Sequence, residues 1–479
     1  MGATPSAFGV EDAPPRNPGL LDEAREPWAA RRNAFGIKKD LSTLFTAYAM
    51  TQYFNEHEET LGKNELEELQ LSKLRRLLGE ILKSNSFYQA KLGGIKPASI
   101  NSLDALRNLP FTTKDELVDD QENHPPYGSN LTYPIDRYCR LHGTSGTSGG
   151  RVMRWLDTPE SWEWVMKCWG IIYRAIGLED DDRVFLPFSF GPFLGFWAAF
   201  EGAARLGNMV QPGGGMTSAA RLNFMIENEA TVIGCTPTYA LRLAEVAEEE
   251  GVDIAASKVR AVIVAGEPGG NIPEMKQRIE NAWGARCFDH TGMTEIGSLG
   301  IECVEGKGNT HLIASECIPE VIDPDSSEPV PDGESGELVI TVLGRWGSPL
   351  IRYRTGDLVR LTYERCKCGR SFPRMLGGIL GRQDDMMFIR GNNIYPSAIE
   401  AVVRRFSGVA EFRMQQVSDG SLNSLKLDIE PAPSVDDPNS LAAEVMNAVK
   451  GQFNFRPEIE LVAHGSLPRF ELKARRLVK

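Results

Sequence analysis

Apolar residues recur every three or four positions through LEELQLSKLRRLLGEILKSNSFYQAKL, Leu66 to Leu92. That period predicts one long amphipathic helix. Next, LPFTTKDEL sets Thr112 or Thr113 just ahead of Glu116, the spacing of a helix N-cap. From about residue 140 the pattern changes, and short continuous apolar runs alternate with helical stretches. The runs are DRVFLPF (Asp182 to Phe188), ATVIGCTP (Ala230 to Pro237), VRAVIVAGEP (Val259 to Pro268) and ARCFDHTG. Between them lie SAARLNFMIENE, TYALRLAEVAEEEG and IPEMKQRIENAWG. Strands apolar on both faces, separated by helices, predict a buried and mostly parallel sheet. In such sheets ligands bind beyond the carboxyl ends of the strands.

The pattern shifts again after residue 300. GELVITVL (Gly336 to Leu343) and DLVRLTYE (Asp357 to Glu364) read as strands of an antiparallel or barrel-like piece. From Gly381 the alternation restarts: a strand DMMFIRG, a helix from Pro396 to Phe406, strands near Ala410 to Gln416 and Leu425 to Glu430, a helix near Asn439 to Phe453, and a strand near Ile459 to Ala463. The expected fold is α/β. A leader spans residues 1–64, a large domain with mostly parallel sheets and a barrel-like piece spans 65–381, and a small mobile α/β domain spans 382–479.

Composition narrows the class. The chain has 479 residues, 42% hydrophobic and 24% charged, which suits two or three globular domains. Its formal net charge is −13, and clusters such as KLRR are short, so nucleic acid is not an expected partner. The start lacks an apolar signal core, and the most apolar window, Phe185 to Phe200, is broken by Pro187 and Pro192. It is also shorter than the ~20 residues that span a bilayer. A cytoplasmic protein that does not enter membranes is expected. Eight cysteines in this length do not make a disulfide scaffold. Cys366 and Cys368 in CKCGR are too close for an easy mutual disulfide and suit a metal turn.

HGTSGTSGG, His142 to Gly150, lacks the ending of a Walker loop and the dinucleotide fingerprint. Its small residues allow successive N–H groups to face one anion, but a flexible linker reads the same way. Further along come DHTGMTEIG (Asp289 to Gly297), YRTGDLVRL (Tyr353 to Leu361), GRQDDMMFIRGNNIYPSAIE (Gly381 to Glu400) and LPRFELKARRLV (Leu467 to Val478). In that order these motifs resemble the adenylate-forming superfamily of acyl-CoA synthetases, adenylation domains and luciferases. LPFTTKDEL, AGEP, PLIRYRTGDLVRL and CKCGR make the phenylacetate–CoA ligase family the nearest likeness. The resemblance covers roughly residues 65 to 479.

The resemblance implies a two-step reaction: a carboxylate attacks the α-phosphate of ATP, and coenzyme A then displaces AMP from the acyl adenylate. It implies ATP, a carboxylic acid and coenzyme A as small-molecule partners, with Mg²⁺. Thr144, Ser145, Gly146, Thr147, Ser148 and Gly149 would hold the β- and γ-phosphates. Thr294 would meet the α-phosphate, and Glu295 would hold Mg²⁺. Gly266, Glu267 and Pro268 would line the adenine, with Asp289 near its amine. Asp357, with Arg382 beside it, would take the ribose hydroxyls. Lys473 would supply catalytic positive charge from the small domain. Asp384 would be the hinge about which that domain swings, removing Lys473 and bringing Arg390 to Asn393 toward the pantetheine path.

The motifs depart from the superfamily at three places. Gly150 stands where a lysine is common. Thr291 replaces a tyrosine that stacks on adenine, with His290 as its expected substitute. FEL precedes Lys473 in place of Ser-Glu-Gly. Transfer to an amine, alcohol or carrier protein, or a non-catalytic nucleotide-binding homologue, are the alternatives. Cys303, His311, Cys366 and Cys368 match positions that hold structural zinc in some relatives, and three thiolates with one imidazole make a closed tetrahedral site. Phe188, Phe190 and Phe193, with Tyr239 and Ala265, are the expected acid pocket, and aromatic walls suit an aryl or arylalkyl acid. The sequence leaves a homodimer open.

Overall fold

In a computed structural model, the structure describes residues 52–144, 152–390, 392–419, 422–470 and 474–478. The leader before residue 52 lies outside the described residues. Packed chain begins earlier than the expected boundary at 65. Glu59 is fully buried, accepts from the N–H groups of Phe54 and Asn55 at 2.7 and 2.8 Å, and takes Arg370 Nε at 2.7 Å.

The helix expected over Leu66–Leu92 is two. Helix α1 (Lys63–Ile81) ends, and a short helix α2 (Ser86–Lys91) restarts after Asn85. The side chain of Asn85 caps the restart, accepting from Tyr88 N at 3.0 Å, and its amide donates to Asn130 and Thr132. The apolar period runs through this break, so only the buried amide marks it. Thr113 caps α3 (Lys114–Asn123) in a reciprocal box with Glu116.

A hairpin of β1 (Arg140–Gly143) and β2 (Arg154–Asp157) leads to α4 (Pro159–Ala175). Then come β3 (Arg183–Leu186), α5 (Leu194–Leu206), β4 (Met209–Pro212), α6 (Ser218–Glu227), β5 (Val232–Cys235), α7 (Pro237–Glu249), β6 (Ala261–Ala265), α8 (Pro273–Trp283) and β7 (Arg286–Met293). Strands β4, β3, β5, β6 and β7 pair in that order, all parallel. Successive residues face opposite layers. Val184, Leu186, Val232, Ile263 and Phe288 join one core with α4 and α5. Phe185, Ile233, Val262, Val264 and Cys287 join a second core with α6, α7 and α8. A sheet covered on both faces is why these strands read as continuous apolar runs. The long helices α4 and α5 were not legible as helices in the pattern. They pack closely: a Cβ on Gly202 would lie 2.5 Å from Trp169.

The antiparallel strands continue the same sheet. β7 pairs with β8 (Gly297–Glu302), then follow β9 (Thr310–Leu312), β13 (Arg374–Met375), β12 (Tyr353–Thr362), β11 (Ser335–Val342) and β10 (Cys317–Ile322). β14 (Gly381–Arg382) adds to β12. The C-terminal α/β part has its own core of Ile399, Phe412, Leu427, Ile429 and Val445 among others. It holds the hairpin β15 (Met387–Ile389) and β16 (Asn392–Ile394), α9 (Pro396–Val403), and a second sheet with α10 (Pro438–Phe453). That sheet orders β19 (Glu458–Leu461), β18 (Leu422–Pro431), β17 (Val409–Asp419) and β20 (Leu477–Val478). Among the described residues no helix is long and apolar enough to cross a membrane.

Candidate active site

The parallel strands end at Leu186, Pro212, Cys235, Ala265 and Met293, and Phe188, Tyr239, Gly266 to Pro268, Thr294 and Glu295 follow within a few residues of those ends. The hairpin β1–β2 carries the small-residue loop at its tip. Thr144 N donates to Met153 O and Thr144 Oγ1 accepts from Met153 N, both at 3.0 Å, so the stem stays paired up to Thr144. Ser145, Gly146, Thr147, Ser148 and Gly149 lie outside the described residues, as does Lys473.

Asp357 and Arg382 face each other in register across β12 and β14. Arg382 Nη1 donates to Asp357 Oδ1 at 3.0 Å, and Arg382 Nε donates to Asp384 Oδ1 at 3.0 Å. Asp357 is buried, whereas Asp384 sits in a 3₁₀ turn with its side chain about half exposed. Thr294 and the buried Glu295 lie in the turn between β7 and β8. Arg345, fully buried, donates to both their carbonyls, at 2.5 and 3.1 Å. Its other nitrogens make a two-point pair with Asp157 at 2.6 and 2.5 Å. Against the upward push of burial, Arg345 holds the Asp157 carboxyl below the usual range. Tyr353 Oη donates to Glu295 Oε1 at 2.9 Å, and burial with that neighbouring charge pushes the phenol well up. Arg345, Tyr353 and Asp157 were not singled out in the sequence, although Tyr353 opens the YRTGD motif.

Gly266, at φ +93°, turns the chain beyond β6, and Gly266 and Pro268 are exposed. The side chains of Glu267 and His290 already have protein partners. The Glu267 carboxylate is already engaged: Oε1 takes Thr238 N at the start of α7, at 2.9 Å, and Oε2 takes the N–H of Ala474. His290 points away from the site. It packs on Trp169 with ring centroids 4.9 Å apart, and its Nδ1 meets Gly300 O at 2.6 Å. Strand alternation puts Asp289 and Thr291 on one face of β7 and His290 on the other. Burial pulls the imidazole down to about 4, so it is a neutral core residue. Thr291 instead leans over its cross-strand partner Gly300, where a Cβ would lie 2.0 Å from Thr291 Oγ1. Asp289 is buried beneath Gly270, whose added Cβ would come within 2.5 Å of Oδ1. Burial and the nearby Glu302 raise its carboxyl to about 7.

The aromatic residues do cluster. Phe188 stacks on Phe196 at 3.9 Å, Phe190 lies 4.8 Å from Trp197, and Phe193 meets Phe196 edge-on at 5.9 Å. Phe188 is buried, and Phe190 and Phe193 are half-buried. Tyr239, buried at the start of α7, accepts from Arg221 Nη1 at 2.7 Å, and Arg221 Nε donates to Gly213 O beside the Phe188 loop. Ala265 closes β6 half-buried.

Cys303, His311, Cys366 and Cys368 come together although 65 positions separate the first from the last, and their ligand atoms all lie within 4.8 Å of one another. Cys303 Sγ is 3.8 Å from Cys366 Sγ, and Cys368 Sγ is 3.4 Å from His311 Nε2. Tetrahedral zinc with Zn–S bonds of about 2.3 Å sets sulfurs about 3.8 Å apart, so the donor set fits that ion. The outward His311 Nδ1 is held by Phe372 O at 3.1 Å, the usual outer support of a ligating imidazole.

The fold combines a parallel sheet covered on both faces with a C-terminal α/β part that has its own core. Residues 144–343 match the AMP-binding enzyme family, and residues 391–479 match the AMP-binding enzyme C-terminal domain. The phenylacetate–coenzyme A ligase of Thermus thermophilus is 33% identical over 377 residues, 78% of this chain and 83% of that protein. The chain belongs to the adenylate-forming ligases and, among them, to the phenylacetate–coenzyme A ligase family; it is an AMP-forming acid–thiol ligase. Among solved structures, 2-hydroxyisobutyryl-CoA ligase in its postadenylation state with 2-HIB-AMP superposes with a TM-score of 0.85 at 30% identity, covering 90% of this chain and 93% of that one. The same ligase with 2-HIB-AMP and CoA in the thioesterification state scores 0.68 at 31% identity, covering 89% and 92%. Coverage hardly changes between the two, so this chain's arrangement of parts is nearer that of the first.

Proposed function

We propose that the ligase activates an aryl or arylalkyl acid of the phenylacetate type. The observation that carries this reading is the ring cluster of Phe188, Phe190, Phe193, Phe196 and Trp197 beyond β3, which offers ring edges and faces to an aromatic acid. The Thermus relative's named substrate supports it.

In the first half-reaction the acid's carboxylate attacks the α-phosphate of ATP and pyrophosphate leaves. Asp357, paired with Arg382, accepts from the ribose hydroxyls. Thr294 donates to the α-phosphate. Glu295 would hold magnesium, a hard cation that takes carboxylate and phosphate oxygens and would supply neutralising charge at the triphosphate. The hairpin from Thr144 to Gly149 cradles the outer phosphates, and Lys473 brings charge to the reacting oxygens. In the second half-reaction the thiolate of coenzyme A displaces AMP after residues 382–479 turn about Asp384 against 65–381. The Cys303–His311–Cys366–Cys368 cluster holds a structural zinc, closed to substrate because protein supplies all four ligands. A cytoplasmic site fits eight cysteines that form no disulfide.

ATP–pyrophosphate exchange over a panel of acids tests the substrate. Arylacetic and benzoic acids should support exchange, lost on Lys473→Ala. Exchange with 2-hydroxyisobutyrate and other short aliphatic acids, and none with aromatic ones, would overturn the aryl assignment.

A further inference from the structure

A fully buried arginine has to be held by several acceptors, because leaving any of its five donors unpaired in the interior is costly. Arg345, in GRWG just after β11, gives Nε and Nη2 to Asp157 and Nη1 to the carbonyls of Thr294 and Glu295. Asp157 ends β2, the descending stem of the small-residue hairpin, and stands opposite Arg140 across the stem. The Thr294–Glu295 carbonyls belong to the turn between two antiparallel strands, which leaves them outside the sheet ladder. One guanidinium thus joins the hairpin to the acid–threonine turn. A second group fixes the acid itself. Tyr353 is 1% exposed at the start of β12 and donates to Glu295 Oε1 at 2.9 Å. Among the described residues Oε1 has Tyr353 as its donor and Oε2 has none. The phenol also lies within electrostatic reach of Arg382 and Asp357.

We propose that Arg345 and Tyr353 are positioning residues for the metal–nucleotide complex: Arg345 sets the Glu295 backbone relative to the phosphate-loop hairpin, and Tyr353 sets the direction of its carboxylate. Neither touches substrate. This rests on Glu295 as the magnesium ligand. A buried ion pair is weak as a device for stability, since apolar replacement is often neutral. The geometry here serves alignment: outer partners of a metal carboxylate change affinity by about 10- to 100-fold when removed.

Mn²⁺ serves as the probe, titrated into the full-length chain with ATP and followed by the EPR signal of the free ion, beside the unfolding temperature. Tyr353→Phe removes one hydroxyl and should raise half-saturating Mn²⁺ about tenfold while the unfolding temperature stays close to that of the parent. Arg345→Lys keeps the charge, loses the fork, and should weaken Mn²⁺ comparably. Glu295→Gln is the control. If Glu295→Gln weakens Mn²⁺ and Tyr353→Phe leaves it within twofold, the inference is overturned, whether or not Arg345→Lys folds. If Glu295→Gln itself changes nothing, the reading of Glu295 fails first.

Discussion

His290 and Asp289 are neighbours with opposite fates, decided by which face of β7 each occupies. His290 joins the Trp169 core and stays neutral, while Asp289 is buried beside Glu302 with its carboxyl near 7. The two act oppositely on stability. A carboxyl raised from 3.8 to about 7 contributes stability that is complete below its unfolded value and lost as pH rises through 7. A histidine lowered from 6.5 to about 4 contributes stability that is complete above 6.5 and lost as pH falls through 4. Asp289→Asn should therefore remove a fall in stability between pH 4 and pH 7, by up to about 4 kcal/mol for a shift of that size. Urea midpoints of parent and variant at pH 5 and pH 7.5 read this directly. An Asn variant no better at pH 7.5, relative to parent, than at pH 5 would mean that Asp289 titrates normally. No motif reading could separate the two residues, because DHTG names both and only the sheet's two cores tell them apart.

At the scale of elements, the strands and most helices were legible because burial on both faces writes continuous apolar runs and burial on one face writes a 3.6-residue period. Helix α4 was not, since 13 of its 17 residues are buried and its polar stripe is reduced to Glu160, Glu163 and Lys167. The break at Asn85 was not, because a cap is one residue's hydrogen bond. The four-residue Cys/His cluster was legible only through family likeness: Cys303 follows β8, His311 sits on β9, and the two later thiols follow β12, joined by sheet pairing that spacing cannot reveal. That cluster ties three segments and reaches the start of the packed chain, where Tyr53 Oη donates to Cys368 O at 2.6 Å. One zinc per chain is expected by elemental analysis. Cys368→Ser should lose it and lower the unfolding temperature by roughly 5 °C or more. Full zinc content in the serine variant would remove Cys368 from the ligand set.

For the whole molecule, the C-terminal part meets the larger part through opposite charges. Arg405 faces Glu274 at 3.4 Å and Arg469 faces Glu245 at 3.8 Å, while Arg476 reaches Thr238 at 3.2 Å. Glu267, expected at the adenine, belongs to this junction through Ala474. Such pairs are individually weak, typically under about 1 kcal/mol, so their effect is on which arrangement is populated. Arg405→Glu should slow ATP–pyrophosphate exchange a few-fold, and Glu274→Arg added to it should recover the rate. A double variant as slow as the single would show that the pair does not hold the adenylating arrangement.

Thioester formation through an acyl adenylate is read by incubating the enzyme with ATP, an acid that supports exchange, and coenzyme A present or absent, then following AMP and identifying the acyl product by mass. Multiple turnovers of AMP and an acyl–coenzyme A thioester are expected only with coenzyme A present, and at most a single turnover of bound acyl-AMP without it. Steady AMP release indifferent to coenzyme A, with no thioester formed, would contradict that route.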